Sequence, residues 1–228
     1  MRILYVIPAR GGSKGIPGKN IKKLGGTPLI NYTVEVARSL AADRDICVST
    51  DDVAIKEVVE QTGLFVPFLR PSELATDQSG TYEVLIHVLD YYEQQGEVYD
   101  LLVLLQPTSP FRTAAQVREA IATWKPGIEM IVSVKISSAN PYYTLTEENK
   151  NGFLERSKPS SFVRRQDCPI IYEYNGAIYV MDVQSLRNKS MHAFDKIKKY
   201  VMDDYTSVDI DSKLDWEFAE FLLNKKGQ

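Results

Sequence analysis

The chain is poor in the residues that mark several functional classes. It has two cysteines, Cys47 and Cys168, too few for a disulfide framework or a four-cysteine zinc site. Cys47 falls in an apolar run and reads as a small core residue. The two histidines, His87 and His192, are no better placed for chemistry. His87 lies within a run of helical period and reads as packed rather than as a base. With no Cys–His or Ser–His–Asp set, covalent nucleophilic catalysis is not expected. No apolar run nears the length a bilayer needs and no charged-then-apolar leader opens the sequence, so a cytoplasmic protein with no membrane partner is expected. A formal net charge of −3 over 228 residues argues against sequence-independent binding of nucleic acid, which needs a basic surface.

What is present is ordinary globular material in a regular order. Hydrophobic residues make up 44% of the chain, enough for one domain with a real core. The runs 3–8, 45–50, 63–68, 101–106 and 130–135 are β-rich, several of them apolar throughout, as strands buried on both faces are. Between them, residues 28–42, 52–62, 79–95 and 113–124 have helical period. The alternation predicts a doubly wound, mostly parallel sheet in a three-layer α/β/α sandwich, a Rossmann-like arrangement with its ligand beyond the carboxyl ends of the strands. Residues 136–175 are polar and turn-rich, with "KNG" as a hairpin signal, and read as an excursion within a single domain spanning 1–228. "GAIYVMD" (176–182) returns to strand character, and 213–225 reads as a closing helix.

The first predicted strand runs into "ARGGSKGIPGKN" (9–20), where Arg10, Lys14 and Lys19 stand among Gly11, Gly12, Gly15 and Gly18. Glycine-rich turns after a buried strand let backbone N–H groups face phosphate oxygens. The spacing fits neither G-x-G-x-x-G nor Walker A. A basic surface loop without a ligand is the bland reading. Against it stands the absence of any acidic residue in the loop: three cations held together repel unless an anion joins them, and a polyphosphate is the obvious one.

Other stretches carry two readings each. In "VDID" (208–211), Asp209 and Asp211 alternate with apolar residues, so an extended segment points both carboxylates one way. Such a pair suits a hard cation such as Mg²⁺, and the competing reading makes Asp211 the cap of the closing helix. Gln106 stands at the end of a buried strand, as a ligand contact or as a turn amide. Asp51 reads as a helix cap, Arg70 as a surface ion pair in the bland case, and Arg164 with Arg165 as solvated cations. Tyr179 is a pocket wall or a core ring.

The opening loop resembles the nucleotide-binding signature of the CMP-sialic acid synthetases (acylneuraminate cytidylyltransferases). "VSTDD" (48–52), "LRPSELATD" (69–77), "LLQPTSPFR" (104–112), "RRQD" (164–167), "NGAIYV" (175–180) and "SVDIDSKLDWEFAE" (207–220) follow in the family's order and cover nearly the whole chain. Kdo synthetases carry a shorter loop signature than "GGSKGIPGKN". The resemblance implies a cytidylyltransferase that joins CTP to a nonulosonic acid and releases pyrophosphate. It implies that Arg10, Gly11, Gly12, Ser13, Lys14 and Asn20 hold the nucleotide, with Arg70, Asp77 and Ser79 on its flank. It makes Lys19, Asp211 and Arg10 catalytic and gives Asp209 and Asp211 a metal, Mg²⁺ or Mn²⁺. Gln106, Asn175, Tyr179 and Arg165 then meet the sugar acid, Arg165 from a homodimer arm reaching over the neighbouring subunit. Family members that are basic near 172–174 differ from this chain's "YEY", which leaves N-acylneuraminate, legionaminate and pseudaminate all open. A sugar-1-phosphate nucleotidyltransferase and a nucleotide-binding protein without turnover are the other readings of the same fold.

Overall fold

The structure is a computed structural model that describes residues 1–12, 15–76 and 80–226. The strands in chain order are β1 (Ile3–Pro8), β2 (Lys23–Leu24), β3 (Thr27–Pro28), β4 (Ile46–Ser49), β5 (Leu101–Leu105), β6 (Met130–Ile136), β7 (Thr146–Glu148), β8 (Leu154–Arg156), β9 (Tyr172–Asp182) and β10 (Ile197–Val201). The helices are α1 (Leu29–Arg38), α2 (Val53–Glu60), α3 (Thr81–Gln94), α4 (Ala114–Ala122), α5 (Val183–Asn188) and α6 (Lys213–Lys226). Six strands form the central sheet in the order β10-β6-β9-β5-β1-β4, and β9 alone runs antiparallel to its neighbours.

Alternation along the strands builds the three layers. Tyr5 and Ile7 of β1 face one side, with Ile30 and Val34 of α1, Ile55 and Val59 of α2, and Val117 of α4. Leu4 and Val6 face the other, with Leu85, Val88 and Leu89 of α3 and Leu186 of α5. The run "LLVLL" of β5 is buried throughout because both faces are covered. Cys47 is fully buried among Leu4, Val6 and Leu85, which pushes its thiol up to about 12.

One expectation changes, and one strand is new. Residues 63–68 form no strand; Leu64 and Val66 are buried, but only an isolated bridge, Thr50 with Leu69, joins this stretch to the sheet. Pro67 removes a ladder donor, so the stretch packs as an apolar connector instead. The β10 edge strand, "IKKYV", had no clear pattern because its side chains are half-buried or exposed. It pairs with β6 over Ile197–Val201 and adds a sixth strand.

The helix starts show which polar residues are committed to local structure. Asp52 caps α2, accepting from Ala54 N at 2.7 Å, and Thr113 with Gln116 makes a capping box on α4. For α6 the cap is Ser212: Asp215 N donates to Ser212 Oγ at 3.3 Å and Ser212 N to Asp215 Oδ2 at 2.7 Å. Capping by Asp211 is therefore corrected, and its carboxylate stays available.

A third apolar cluster sits at the carboxyl end of the sheet. Ile16 of the opening loop, Phe111, Ile210 and Trp216 of α6 pack together with Leu24 and Leu29. It fixes the opening loop against the segment that carries the two aspartates. Each such buried side chain contributes about 1.5–3 kcal/mol.

Candidate functional site

Two cavities open where the carboxyl ends of β1, β4 and β5 meet the bulged part of β9. The first, about 510 Å³, is lined by Arg10, Gly15, Lys19, Asn20, Arg70, Gln106, Thr108 and Asp211 among others. The second, about 580 Å³, is lined by Gln106, Lys135, Glu173, Asn175, Gly176, Tyr179, Asp209 and Phe218 among others. Gln106 belongs to both walls. Asp211 faces the first and Asp209 the second.

Loop geometry brings the first set together. Gly15 lies so close to the 209–211 segment that a Cβ there would overlap the Asp211 carbonyl oxygen. Lys19 is buried, and its Nζ donates to Ile210 O at 2.7 Å and to Asp211 Oδ1 at 3.0 Å. Asn20 holds the loop by donating Nδ2 to Arg10 O at 3.1 Å. Gly11 and Gly12 do not line the cavity, and Gly11 N–H donates to Asp51 Oδ1 at 3.1 Å. This corrects the capping role expected of Asp51: Asp52 takes the helix, and Asp51 ties the opening loop to β4. Arg70 is not a surface residue either. It is 7% exposed, donates Nε to Ser49 Oγ at 3.0 Å and its guanidinium to Ser49 O, and burial pulls its pKa down against the pull of Asp51. Ser13, Lys14, Asp77 and Ser79 lie outside the described residues.

The aspartate pair is held by Ile210, fully buried between them, whose N–H donates to Thr108 O at 2.9 Å. Burial raises the Asp209 pKa, the Thr108 hydroxyl and Lys19 oppose that rise, and nearby Asp211 adds to it. Asp209 Oδ1 is buried and accepts no hydrogen bond of regular geometry among the described residues. Two hard oxygens side by side, one unpartnered, fit a magnesium-type cation. Lys19 supplies the positive charge beside Asp211 in this structure.

The second cavity has a stiff floor. β9 bulges opposite Ser133, between its pairing with Val132 and Val134. Asn175 fills the bulge: Ser133 Oγ donates to its Oδ1 at 2.6 Å, and its Nδ2 donates to Ser207 Oγ at 2.8 Å. Its amide is thus spent on the protein, with little left for a ligand. Gly176, at φ +73°, carries the chain past Gln106 and Asp209 in a conformation that L side chains avoid. Tyr179 is 9% exposed and its phenol pKa is raised by burial, with Asp209 adding to the rise. Arg165 is not brought here. It is exposed on the excursion, donates to Ser138 O at 3.0 Å and lines a separate cavity beside Cys168.

Arg112 escaped the sequence reading. It ends "LLQPTSPFR" and is 3% exposed, donating to Gln106 O at 3.1 Å, Ala177 O at 2.7 Å and Thr33 Oγ1 at 2.7 Å. An arginine closing an otherwise uncharged, proline-bracketed turn was the available signal. His87 packs edge-on against Phe68 at 4.9 Å, away from the cavities.

A mostly parallel sheet with a glycine-rich, cation-bearing loop after β1 and paired carboxylates at the strand ends defines a nucleotidyltransferase-type α/β protein. Residues 4–225 match the sequence model of the cytidylyltransferases, and the chain belongs to that family. It is 38% identical over 231 residues to the CMP-N,N'-diacetyllegionaminic acid synthase of Legionella pneumophila, covering 98% of this chain and 97% of that protein. It is 33% identical to the N-acylneuraminate cytidylyltransferase of Streptococcus agalactiae over 99% of this chain, which spans 56% of that longer protein. The fold superposes on a CMP-2-keto-3-deoxy-manno-octonic acid synthetase complexed with CTP at a TM-score of 0.75, with 21% identity, 99% of this chain and 100% of that one covered.

Proposed function

We propose that the protein transfers the cytidylyl group of CTP to a nonulosonic acid of the sialic type, giving the CMP-sugar and pyrophosphate. The observation that supports this most is the shared wall. Gln106 lines two adjoining cavities, and the aspartate pair presents one carboxylate to each. Such a site can hold two substrates with their reacting atoms in contact, which is where most of the rate in phosphoryl-type transfer arises.

In this reading Arg10, Lys19 and Asn20 face the triphosphate in the first cavity, with Arg70 on the nucleotide side. The sugar acid occupies the second, against Gln106 and Tyr179, with Asn175 holding the floor. The anomeric hydroxyl gives up its proton to solvent and its oxygen forms a bond to the α-phosphorus in line as the bond to the pyrophosphate oxygen breaks. Lys19 offsets charge that builds on the leaving group. A magnesium or manganese ion on Asp209 and Asp211 would supply Lewis-acid polarisation of the α-phosphate. Arg165 would serve the partner subunit of a homodimer; the exposed Phe153, Leu154, Val163 and Ile170 of the excursion give its arm an apolar face to bury. Among the described residues no helix is long and apolar enough to cross a membrane, which agrees with a small-molecule enzyme of the cytoplasm.

The test is pyrophosphate release from CTP and Mg²⁺ with neuraminate, diacetyllegionaminate, pseudaminate, Kdo and a sugar 1-phosphate offered separately. The relative similar over its full length makes diacetyllegionaminate the first acid to offer. Release with a nonulosonic acid supports the reading and names the substrate. Release with the sugar phosphate alone, or with none, overturns it.

A further inference from the structure

Arg112 is buried beneath the wall that separates the two cavities, and among the described residues it makes no ion pair. Its Nε is buried without a hydrogen-bond partner. One guanidinium nitrogen donates to two carbonyls, Gln106 O at the end of β5 at 3.1 Å and Ala177 O within β9 at 2.7 Å, and the other donates to Thr33 Oγ1 of α1 at 2.7 Å. Burial lowers its pKa to about 9, so it remains a cation at neutral pH. A buried cation without a carboxylate is costly, a cost set against its hydrogen bonds to Gln106 O, Ala177 O and Thr33 Oγ1, which an apolar side chain of similar volume would not make. What the apolar residue lacks is a rigid planar set of donors that ties the two carbonyls on one nitrogen to the Thr33 hydroxyl on the other.

Those two carbonyls belong to the two sides of the site. Gln106 lines both cavities, and Ala177 follows Gly176, which lies against Gln106 Oε1 and Asp209 Oδ2. We infer that Arg112 is a positioning residue for the transfer step, locking the Gln106 turn to the β9 bulge so that the two cavities stay in register. The inference rests on the proposed function, since register matters only if both cavities fill at once. Its consequence is a split between binding and chemistry. Each substrate meets an intact cavity without Arg112, but the two meet each other badly.

The experiment uses the full chain with CTP, Mg²⁺ and whichever acid the parent protein turns over. Arg112→Met is expected to lower kcat by about 100-fold, the scale of a misplacement near 1 Å. Affinity for CTP alone, by calorimetry, is expected to stay within about threefold, and the melting temperature to fall by no more than a few degrees, since relief of the buried charge offsets part of the lost hydrogen bonding. Arg112→Lys should fall between. Should Arg112→Met fail to fold, the near-isosteric Thr33→Val removes one anchor and should still lower kcat by about 3–10-fold, less than additively with Arg112→Lys. A purely structural arginine is indicated, and the inference overturned, if kcat stays within about threefold of the parent or if CTP affinity and melting temperature fall in step with kcat. No turnover by the parent with any acid overturns the proposed function and this role together.

Discussion

Lys19 Nζ lies 3.0 Å from Asp211 Oδ1, with Lys19 buried and the Asp211 side chain 75% exposed. The pair joins the start of the chain to its end, and it sets the ammonium in the wall of the first cavity. Asp211 pairs with Lys19 and leaves helix capping to its neighbour, so the role proposed for Asp211 and the stability of α6 fall at separate, adjacent positions.

That separation is directly testable. Asp211→Ala should lose at least about 100-fold in turnover, the scale of removing one transition-state charge partner, while its circular dichroism spectrum and melting curve stay close to the parent's. Substantial turnover with Mg²⁺ would remove Asp211 from the metal site. Ser212→Ala should do the reverse. Loss of the cap costs about 1 kcal/mol, or roughly 2–4 °C in a chain of this size, with turnover largely kept.

Gly15 and Gly12 give a second contrast. Gly15→Ala pushes a methyl group into the Asp211 carbonyl, whereas nothing lies within 4 Å of a Cβ at Gly12. Gly15→Ala should lower both the melting temperature and the affinity for CTP, because the loop must move off the aspartate segment. Gly12→Ala should melt with the parent. Equal melting temperatures for all three proteins would show that the contact carries no weight.

The acid limb of stability should depend on Glu129. Its carboxylate accepts from Asp195 N at 2.8 Å and Lys196 N at 2.9 Å and pairs with Lys189 at 2.8 Å. The Lys189 hydrogen bond, then the backbone ones, lower its pKa from 4.5 to about 2. Between those values the unfolded chain binds a proton that the folded chain does not, so stability falls as pH drops through this window. Denaturant titrations from pH 5 to pH 2 should give a shallower decline for Glu129→Gln; parallel curves would contradict the assignment.

The two thiols should differ in reactivity. Cys47 is fully buried with its pKa raised to about 12, while Cys168 is half-buried on the excursion. A disulfide reagent at pH 8 should label one thiol in the native protein and two in denaturant, since only the thiolate reacts. Rapid native labelling of both would mean that the core of the sheet opens.

Much of this was legible in the sequence, for physical reasons that differ by element. β1 and β5 were readable because strands covered on both faces are apolar throughout. The period-2 spacing of Asp209 and Asp211 put Ile210 between them in the core, but Asp211 lines the first cavity and Asp209 the second, a division the spacing did not show. Three further things were hidden. The capping of α6 by Ser212 depends on Asp215 reaching back, which adjacent candidates for the same cap obscure. The use of Asp51 by Gly11 joins residues 40 positions apart, and no local pattern encodes that. Asn175 reads as a polar ligand contact, but its partners Ser133 and Ser207 come from two distant segments. Polar residues at a strand's end declare that something is bonded there, and only the fold says what.

The antiparallel strand at the centre of the sheet also sets an order of events during synthesis. β4, β1 and β5 can zip together once residue 105 has emerged, but β6 and β10 reach them only through β9. Until residue 182 leaves the ribosome, the nascent chain holds half a sheet with an open edge at β5 and a solitary β6 with nothing to pair. Pairing across that distance is slow, and open edges invite the wrong partner. Because Gln106 caps β5 and Asn175 fills β9, closing the sheet and creating the second cavity are one event. A chain stopped short of residue 182 is therefore a candidate for chaperones, and it lacks the second cavity altogether.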